Sequence, residues 1–334
     1  METSHQTRLT APEIANLWTQ FQNETLAICI NTHMLKHMED KDCQLIFENA
    51  ISISTEHIKD IENLLRGESF PIPQGFSMKD VNLQAPQLFS DILCLKYLHE
   101  MTIHGLSGYA VAMTTSIRQD MREYYEKCNR DGIKVYNQTI DLLLSKGVYH
   151  RPPYVPIPEG TEFVQSENFL DGLFGDKRSL NVIEISNIYF NLKKSIITKA
   201  ITIGFSQTAK AQEVRRFFVR TADIKQKHIA IFSTRLTQES LPAPPSWDSD
   251  VTNSTTPPFS DRMMLYHVGF LFGAAVAYYG TGLATSLRSD LVLDYNRTIL
   301  EDEKLIEDWI DIMIENKWME QPPKSINRRD LAKI

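Results

Sequence analysis

The feature that most constrains the fold is an internal duplication of the chain. Residues 10–65 occur again, in degenerate form, at residues 181–236, with a constant offset of 171 residues (184 − 13 and 228 − 57). The matched pairs include Glu13 with Glu184, Ile14 with Ile185, His57 with His228 and Leu65 with Leu236. In the later part of each copy the offset is 170 (259 − 89 and 290 − 120), which a one-residue gap in a loop explains. Such a long period far exceeds that of solenoid repeats, so the sequence predicts two copies of one domain.

Length, charge and cysteine content exclude several classes of protein. A chain of 334 residues is longer than one hydrophobic core usually supports, which agrees with two domains. The formal net charge is −7 and the basic residues are scattered, so neither nucleic acid nor an anionic membrane is an expected partner. No C-x-x-C pair occurs, so we expect reduced thiols rather than disulfides or a zinc site. The cysteines are Cys29, Cys43, Cys94 and Cys128. Because the polar N-terminus lacks the layout of a secretion signal, we expect a cytoplasmic protein.

Capping and periodicity predict two neighbouring helices at the start of each copy. Thr10-Ala-Pro-Glu13 is typical of a capping box, and the apolar stripe that follows keeps a helical spacing to about Lys36. A second helix is expected to end at Arg66-Gly67, where a basic last turn precedes a C-terminal glycine. The polar turn between them is short, which predicts that the two helices are antiparallel neighbours.

A long connection follows the second helix. Residues 68–86 are rich in proline, have no helical period and are too long for a tight turn. We expect a third helix from about residue 87 to residue 114, and a fourth helix, capped by Ser116, that runs to Lys146-Gly147. The predicted order of elements is helix, turn, helix, long crossover, helix, turn, helix. This is the connectivity of the ferritin-like four-helix bundle. The sequence therefore predicts an all-α protein of two tandem ferritin-like four-helix bundles, each with a crossover between its second and third helices.

The duplication also sets the predicted domain boundaries. The first bundle is expected at residues 1–150 and the second at residues 181–322, followed by a basic tail at residues 323–334. Residues 151–180 form a linker that begins with an extended proline-rich stretch. The end of this linker is apolar, so we expect it to pack on a bundle.

Several local motifs resemble those of a known family. They are Pro71-Ile-Pro-Gln-Gly-Phe76, Leu142-Leu-Leu-Ser-Lys-Gly147, Arg151-Pro-Pro153, Phe169-Leu-x-Gly-x-Phe-Gly175 and Leu180-Asn-x-x-Glu-Ile185. On these motifs, over nearly the whole chain, it resembles uncharacterised tandem ferritin-like proteins of endospore-forming bacteria that are related to spore coat protein F. The resemblance implies two ferritin-like bundles and a sporulation-related, spore-associated role, and it implies no assigned reaction.

Polar residues on the predicted helices of the first copy are candidate metal ligands. Ferritin-like carboxylate proteins direct Glu and Glu-x-x-His side chains inward from four helices. This chain has only fragments of that set, with Ser54 where the second glutamate would be. The candidates are Glu24, His57, Glu100, His104 and Asp131. They could form one mixed nitrogen and oxygen site for iron or manganese, or they could be hydrogen-bonded polar groups of the core.

The second copy has lost most of this pattern. Ser195 replaces Glu24 and Lys225 replaces Ser54, while Phe270 and Ala274 replace Glu100 and His104. His228, His267 and Glu301 are the polar residues that remain. A lysine at the level of the ligands argues against a metal in the second copy.

Two further motifs have both a structural and a functional interpretation. Residues 264–285 contain no charged residue and are long enough to span a membrane, but their counterpart at 94–115 contains charges. We therefore predict the most buried helix of a soluble bundle rather than a membrane helix. The Ser-x-Arg-x-Asp motif occurs twice, and we expect Arg118 and Arg288 to anchor the fourth helix of each copy, the alternative being contact with a ligand or partner.

The sequence contains no catalytic motif from which a reaction could be named. We therefore expect a non-enzymatic structural or interaction protein with protein partners or self-association, and without a catalytic residue or an organic cofactor. The competing hypothesis is a metal protein that binds iron or manganese in the first bundle. A third possibility is a protein that binds a small ligand between its helices.

Overall fold

The computed structural model describes residues 7–173 and 177–333, and helices make up most of both repeats. The first repeat contains α1 (Ala11–His37), α2 (Lys41–Gly67), α3 (Asp91–Thr115) and α4 (Gln119–Ser145). The second contains α5 (Val182–Thr208), α6 (Gln212–Gln238), α7 (Asp261–Thr285) and α8 (Ser289–Glu315), and a short α9 (Arg328–Leu331) follows. The described residues contain no strand. The prediction of an all-α, tandemly repeated chain is confirmed.

The two repeats use the same packing plan. In each repeat the first helix packs against the second, the third against the fourth, and weaker contacts join the two pairs. The start of α1 is fixed by Glu13, whose Oε2 accepts hydrogen bonds from the backbone N–H and the hydroxyl of Thr10, both at 2.7 Å. Its Oε1 accepts from the backbone N–H groups of Ile117 and Arg118, each at 2.9 Å. One buried carboxylate therefore joins the start of the first helix to the start of the fourth, and Glu184 does the same in the second repeat.

The two crossovers pair with each other across a pseudo-two-fold axis. Val81 forms an antiparallel bridge with Phe259, and the equivalent residues Val251 and Phe89 form the second bridge. The hydroxyl of Ser90 donates to Asp250 Oδ1, and the hydroxyl of Ser260 donates to Asp80 Oδ1, both at 2.7 Å. Around these bridges lies one hydrophobic core with members from both repeats. The repeats are therefore joined by a self-complementary interface like that of a symmetric dimer.

The structure corrects two details of the helix prediction. The third helix begins at Asp91 rather than near residue 87, because the Ser90 hydroxyl caps it by accepting from the Leu93 backbone N–H at 3.1 Å. Ser116 does not cap the fourth helix. Its hydroxyl instead donates to the Ala112 carbonyl at 2.7 Å and ends α3, while Arg118 lies at the N-cap position of α4.

α7 is not the most buried helix of the chain. It has 11 buried residues among 25, whereas α5 has 17 among 27. α5 is more buried than α7 because it packs against α6, α7 and also α3 of the first repeat. The absence of charged residues from 264 to 285 therefore does not reflect greater burial of α7. By length and composition, α7 is the one helix among the described residues that could cross a membrane.

The linker has an exposed part and a packed part. Residues 154–168 are exposed along their whole length. The packed part begins at Phe169, whose ring stacks on the Arg178 guanidinium, and continues at Gly172, which lies so close to Asp290 that a Cβ would clash. Phe174 and Gly175, which end the apolar run noted in the sequence, lie outside the described residues.

Candidate functional site

Three of the five predicted site residues meet inside the first repeat. His57 on α2 is 1% exposed and lies between two carboxylates. Its Nδ1 is 2.8 Å from Glu24 Oε1 on α1, and its Nε2 is 3.2 Å from Asp131 Oδ2 on α4. Both ring nitrogens are thus occupied by carboxylate oxygens.

The surroundings of His57 favour its protonated form. Burial alone would lower its pKa, but hydrogen bonds with Cys128 and Glu24 and the charge of Glu24 outweigh burial and raise the pKa to about 11. Burial likewise opposes the charge of Glu24, yet its pKa is lowered because of the His57 imidazolium and hydrogen bonds from Ser54 and Tyr109. The two groups therefore form a buried ion pair at neutral pH.

Further donors fix the position of the Glu24 carboxylate. The Tyr109 hydroxyl donates to Glu24 Oε1 at 2.7 Å, and Gln20 Nε2 donates to the same atom at 3.2 Å. Together with His57, these bonds satisfy a carboxylate that is 5% exposed.

Glu100 lies elsewhere, at the junction of the two repeats. Its two carboxylate oxygens are 2.8 Å from Lys193 Nζ and 2.6 Å from Lys194 Nζ, both on α5. Burial opposes the charge of Glu100, but the two lysines lower its pKa. The carboxylate predicted as a metal ligand is therefore neutralised by cations of the second repeat.

His104 also faces the second repeat rather than His57. Its Nδ1 is 3.2 Å from the hydroxyl of Tyr278 on α7, and its ring packs edge-on against Phe270. Burial, followed by repulsion from Lys194, holds its pKa well below the usual value. His104 is thus a neutral group at the interface of the repeats.

The equivalent position in the second repeat has a different ion pair. Lys225 Nζ lies 2.7 and 2.6 Å from the two carboxylate oxygens of Asp302. His228 remains neutral, because burial and the charge of Lys225 lower its pKa to about 2. The Tyr279 hydroxyl bonds to Ser195 Oγ at 2.9 Å and to His228 Nδ1 at 3.2 Å.

The donors found at these two centres do not fit a divalent metal. In the first repeat both nitrogens of His57 are taken by carboxylates, and a metal would require a free imidazole lone pair. In the second repeat the ammonium of Lys225 lies among the acids, and an ammonium has no acceptor. Among the described residues, no group of three or more His, Cys, Asp or Glu residues has an arrangement that could hold a metal ion.

Sequence reasoning missed two parts of these networks. One missed part is the tyrosine on the third helix of each repeat, Tyr109 and Tyr279, which match at the offset of 170 (279 − 109). A tyrosine kept at this position in both copies was the signal that could have placed each one in its network. Lys193 and Lys194 form a pair of charges in an otherwise apolar stretch of α5. Buried charges require partners, so this pair was a signal that could have indicated an acidic residue on another helix, which the structure shows to be Glu100.

The Ser-x-Arg-x-Asp motifs are structural anchors. Arg288 donates to Asp290 through Nε at 2.8 Å and to Glu239 through Nη1 at 2.9 Å, and Nη1 also donates to the Arg178 carbonyl. Arg118 makes the corresponding bonds to Asp120 and Glu68. Both guanidinium groups are thus committed to carboxylates of their own repeat.

The chain is similar to one family of proteins and to one solved structure. The profile of a family described as "Protein of unknown function (DUF3231)" matches residues 1–160 and again residues 168–331. A solved structure, that of a candidate spore coat protein from Bacillus halodurans, is 18% identical. It covers 48% of this chain and 100% of its own, with a TM-score of 0.40. No curated protein matches the chain at a significant level.

Proposed function

Since the chain belongs to the DUF3231 family of proteins of unknown function, we propose that it is a non-enzymatic structural or interaction protein built from two fused ferritin-like bundles. The long crossover between the second and third helices of each repeat supports the ferritin-like assignment. The observation that carries the functional proposal is that a side-chain cation lies at the centre of each repeat, His57 in the first and Lys225 in the second.

In ferritin-like carboxylate proteins, the core acids hold metal ions. Here the acids are neutralised by an imidazolium or an ammonium of the same chain, so their charge is compensated without a metal. The buried polar groups then specify how the helices pack, a use that buried polar networks have in other proteins. The bundles would serve as a rigid scaffold rather than as a redox centre.

The exposed part of the linker supports an interaction role. Tyr154, Ile157 and Phe163 are at least 79% exposed and lie within ten residues of one another. A partner that covers these side chains would remove apolar surface from water, which favours association. We propose that a second copy of the chain makes its contact here. Sedimentation velocity over a dilution series would show self-association, and an unchanged result for the double variant Ile157→Ser and Phe163→Ser would contradict this placement.

Metal analysis tests the functional proposal directly. Full-length protein purified without chelators should contain far less than one equivalent of iron or manganese. Stoichiometric metal that is lost in Glu24→Ala and in His57→Ala, but retained in the matched control His228→Ala, would overturn the proposal in favour of a metal protein. We also propose a cytoplasmic location and a role in sporulation or stress, of which the spore-associated, sporulation part rests on the sequence resemblance. Imaging a fluorescent fusion in sporulating cells would test the location.

A further inference from the structure

A groove lies between α1 and α3 of the first repeat and reaches α7 of the second. Its volume is about 340 Å³, within the range of small-molecule sites. Small residues keep it open, because Ala15 and Ala27 on α1 face Gly105, Gly108 and Ala112 on α3. A smaller cavity of about 110 Å³ adjoins it and shares Glu24 and Tyr109 as lining residues.

The second repeat fills the equivalent space with its own side chains. Gly108 corresponds to Tyr278 (278 − 108 = 170), and Thr19 corresponds to Phe190 (190 − 19 = 171). The rings of Phe190 and Tyr278 pack edge to face, with centroids 4.9 Å apart, across α5 and α7. The duplication therefore retained an opening in one copy and closed it in the other.

Two nearly fully buried polar residues of the groove lining carry side-chain atoms without a hydrogen-bond partner. Gln20 is 7% exposed, and its Oε1 has no hydrogen-bond partner although its Nε2 donates to Glu24. His267 on α7 is 1% exposed, and neither ring nitrogen has a partner. Since burial lowers the pKa of His267 to about 3, its ring is neutral and offers one donor and one acceptor. Unpaired buried polar atoms of this kind are costly, so a ligand that bonds to them gains affinity.

The lining also defines the charge of a ligand. No Lys or Arg lines the groove, and Glu24 is already paired with His57, so a buried anion would lose its hydration without meeting a free cation there. A cationic ligand would gain little affinity from Glu24, because that carboxylate already accepts hydrogen bonds from His57, Tyr109 and Gln20. The walls at Tyr97 and Phe270 are aromatic.

We propose that this groove binds a small, uncharged aromatic molecule that carries a hydroxyl or N–H group. The donor would face Gln20 Oε1 or the acceptor nitrogen of His267, and the ring would lie between α1 and α3. This inference goes beyond the proposed function, because a scaffold protein of this kind needs no ligand. It also stands apart from the metal test, since its two test positions, Gly108 and His267, take no part in the hydrogen bonds that join His57, Glu24 and Asp131.

The experiment uses the full chain, with indole and phenol as probes and benzoate as the charged control. Calorimetry should show saturable binding of one equivalent of indole or phenol and no binding of benzoate. Gly108→Tyr, which introduces the residue of the second repeat, should abolish binding. Gly273→Tyr is the matched control, because Gly273 is also exposed in a long helix, has open space around a Cβ and does not line the groove.

A second variant separates loss of the site from loss of the fold. His267→Leu should keep the groove but weaken indole binding by about threefold to tenfold, as expected for one hydrogen bond. The proposal is overturned if neither neutral probe binds, if benzoate binds as well as phenol, or if Gly108→Tyr binds indole as the parent does.

Discussion

Lys225 Nζ contacts both carboxylate oxygens of Asp302, at 2.7 and 2.6 Å, and the side chains are 1% and 0% exposed. Neither residue has a charged counterpart in the first repeat, where Ser54 and Gly132 occupy the matching positions. The first repeat instead pairs His57 with Glu24, whose counterpart in the second repeat is the neutral Ser195. In each repeat a buried acid is therefore paired with a cation of the same repeat. The residues that form the pair occupy different helix positions in the two repeats.

Removing Lys225 alone should strongly destabilise the chain. Lys225→Met leaves the Asp302 carboxylate buried without its partner, and loss of one member of a buried pair costs about 3–5 kcal/mol. The double variant Lys225→Met and Asp302→Leu should recover most of that loss, since no buried charge remains. Urea denaturation measures both, and a double variant as unstable as the single one would show that the pair is not the source of the effect.

The His57 imidazolium should make stability fall with rising pH. Its folded pKa of about 11 lies above the unfolded value of 6.5, so its contribution is complete below pH 6.5 and is lost as pH rises through 11. Between these values the folded chain holds one extra proton, worth about 1.4 kcal/mol per pH unit. The free energy of unfolding at pH 7 to 8.5 should fall less steeply in His57→Gln, and equal slopes would refute the ion pair.

Much of the fold could be predicted because helix caps and helix periodicity are local signals, and the duplication shows that the second copy repeats the first. The capping box at Thr10 and Glu13 and the ends of the first two helices follow from short-range chemistry. The pairing of the crossovers could not be predicted in this way, since the bond from Ser90 to Asp250 joins residues 160 positions apart. Nothing in either crossover alone specifies its partner.

The candidate site was predictable only within one repeat. Glu24, His57 and Asp131 lie on inward stripes of three helices of the same repeat, so helix periodicity brings them together. Glu100 lies at a similar depth of α3, but its direction is set by Lys193 and Lys194 on α5. Helical spacing gives the level of a residue along a bundle, whereas the arrangement of the two repeats decides which neighbour it meets.

Glu100 should be essential for the junction between the repeats. Glu100→Gln leaves the two lysines of α5 without their counter-ion, so the free energy of unfolding should fall by about 3–5 kcal/mol. Glu126→Gln is the matched control, because Glu126 pairs with Arg130 on the exposed face of α4. Loss of that surface pair should cost no more than about 0.5 kcal/mol in the same urea titration. Similar costs for the two variants would exclude a special role for the junction.

His267 and His228 should respond in opposite directions to the same substitution. Both are buried neutral histidines of the second repeat, but His228 bonds to Tyr279 and Glu301, whereas both ring nitrogens of His267 are unpartnered. Replacement by leucine removes an unsatisfied polar ring at residue 267, so the ligand-free chain should gain about 1–2 kcal/mol of stability. The same change at residue 228 removes the His228 partner of Glu301 Oε2 and one of the two partners of the Tyr279 hydroxyl, and it should cost about 1–3 kcal/mol. Thermal unfolding and urea titration of the two variants in ligand-free buffer make the comparison. Equal destabilisation of both would mean that His267 is satisfied in solution, and its unpartnered nitrogens would then no longer support a ligand in the groove.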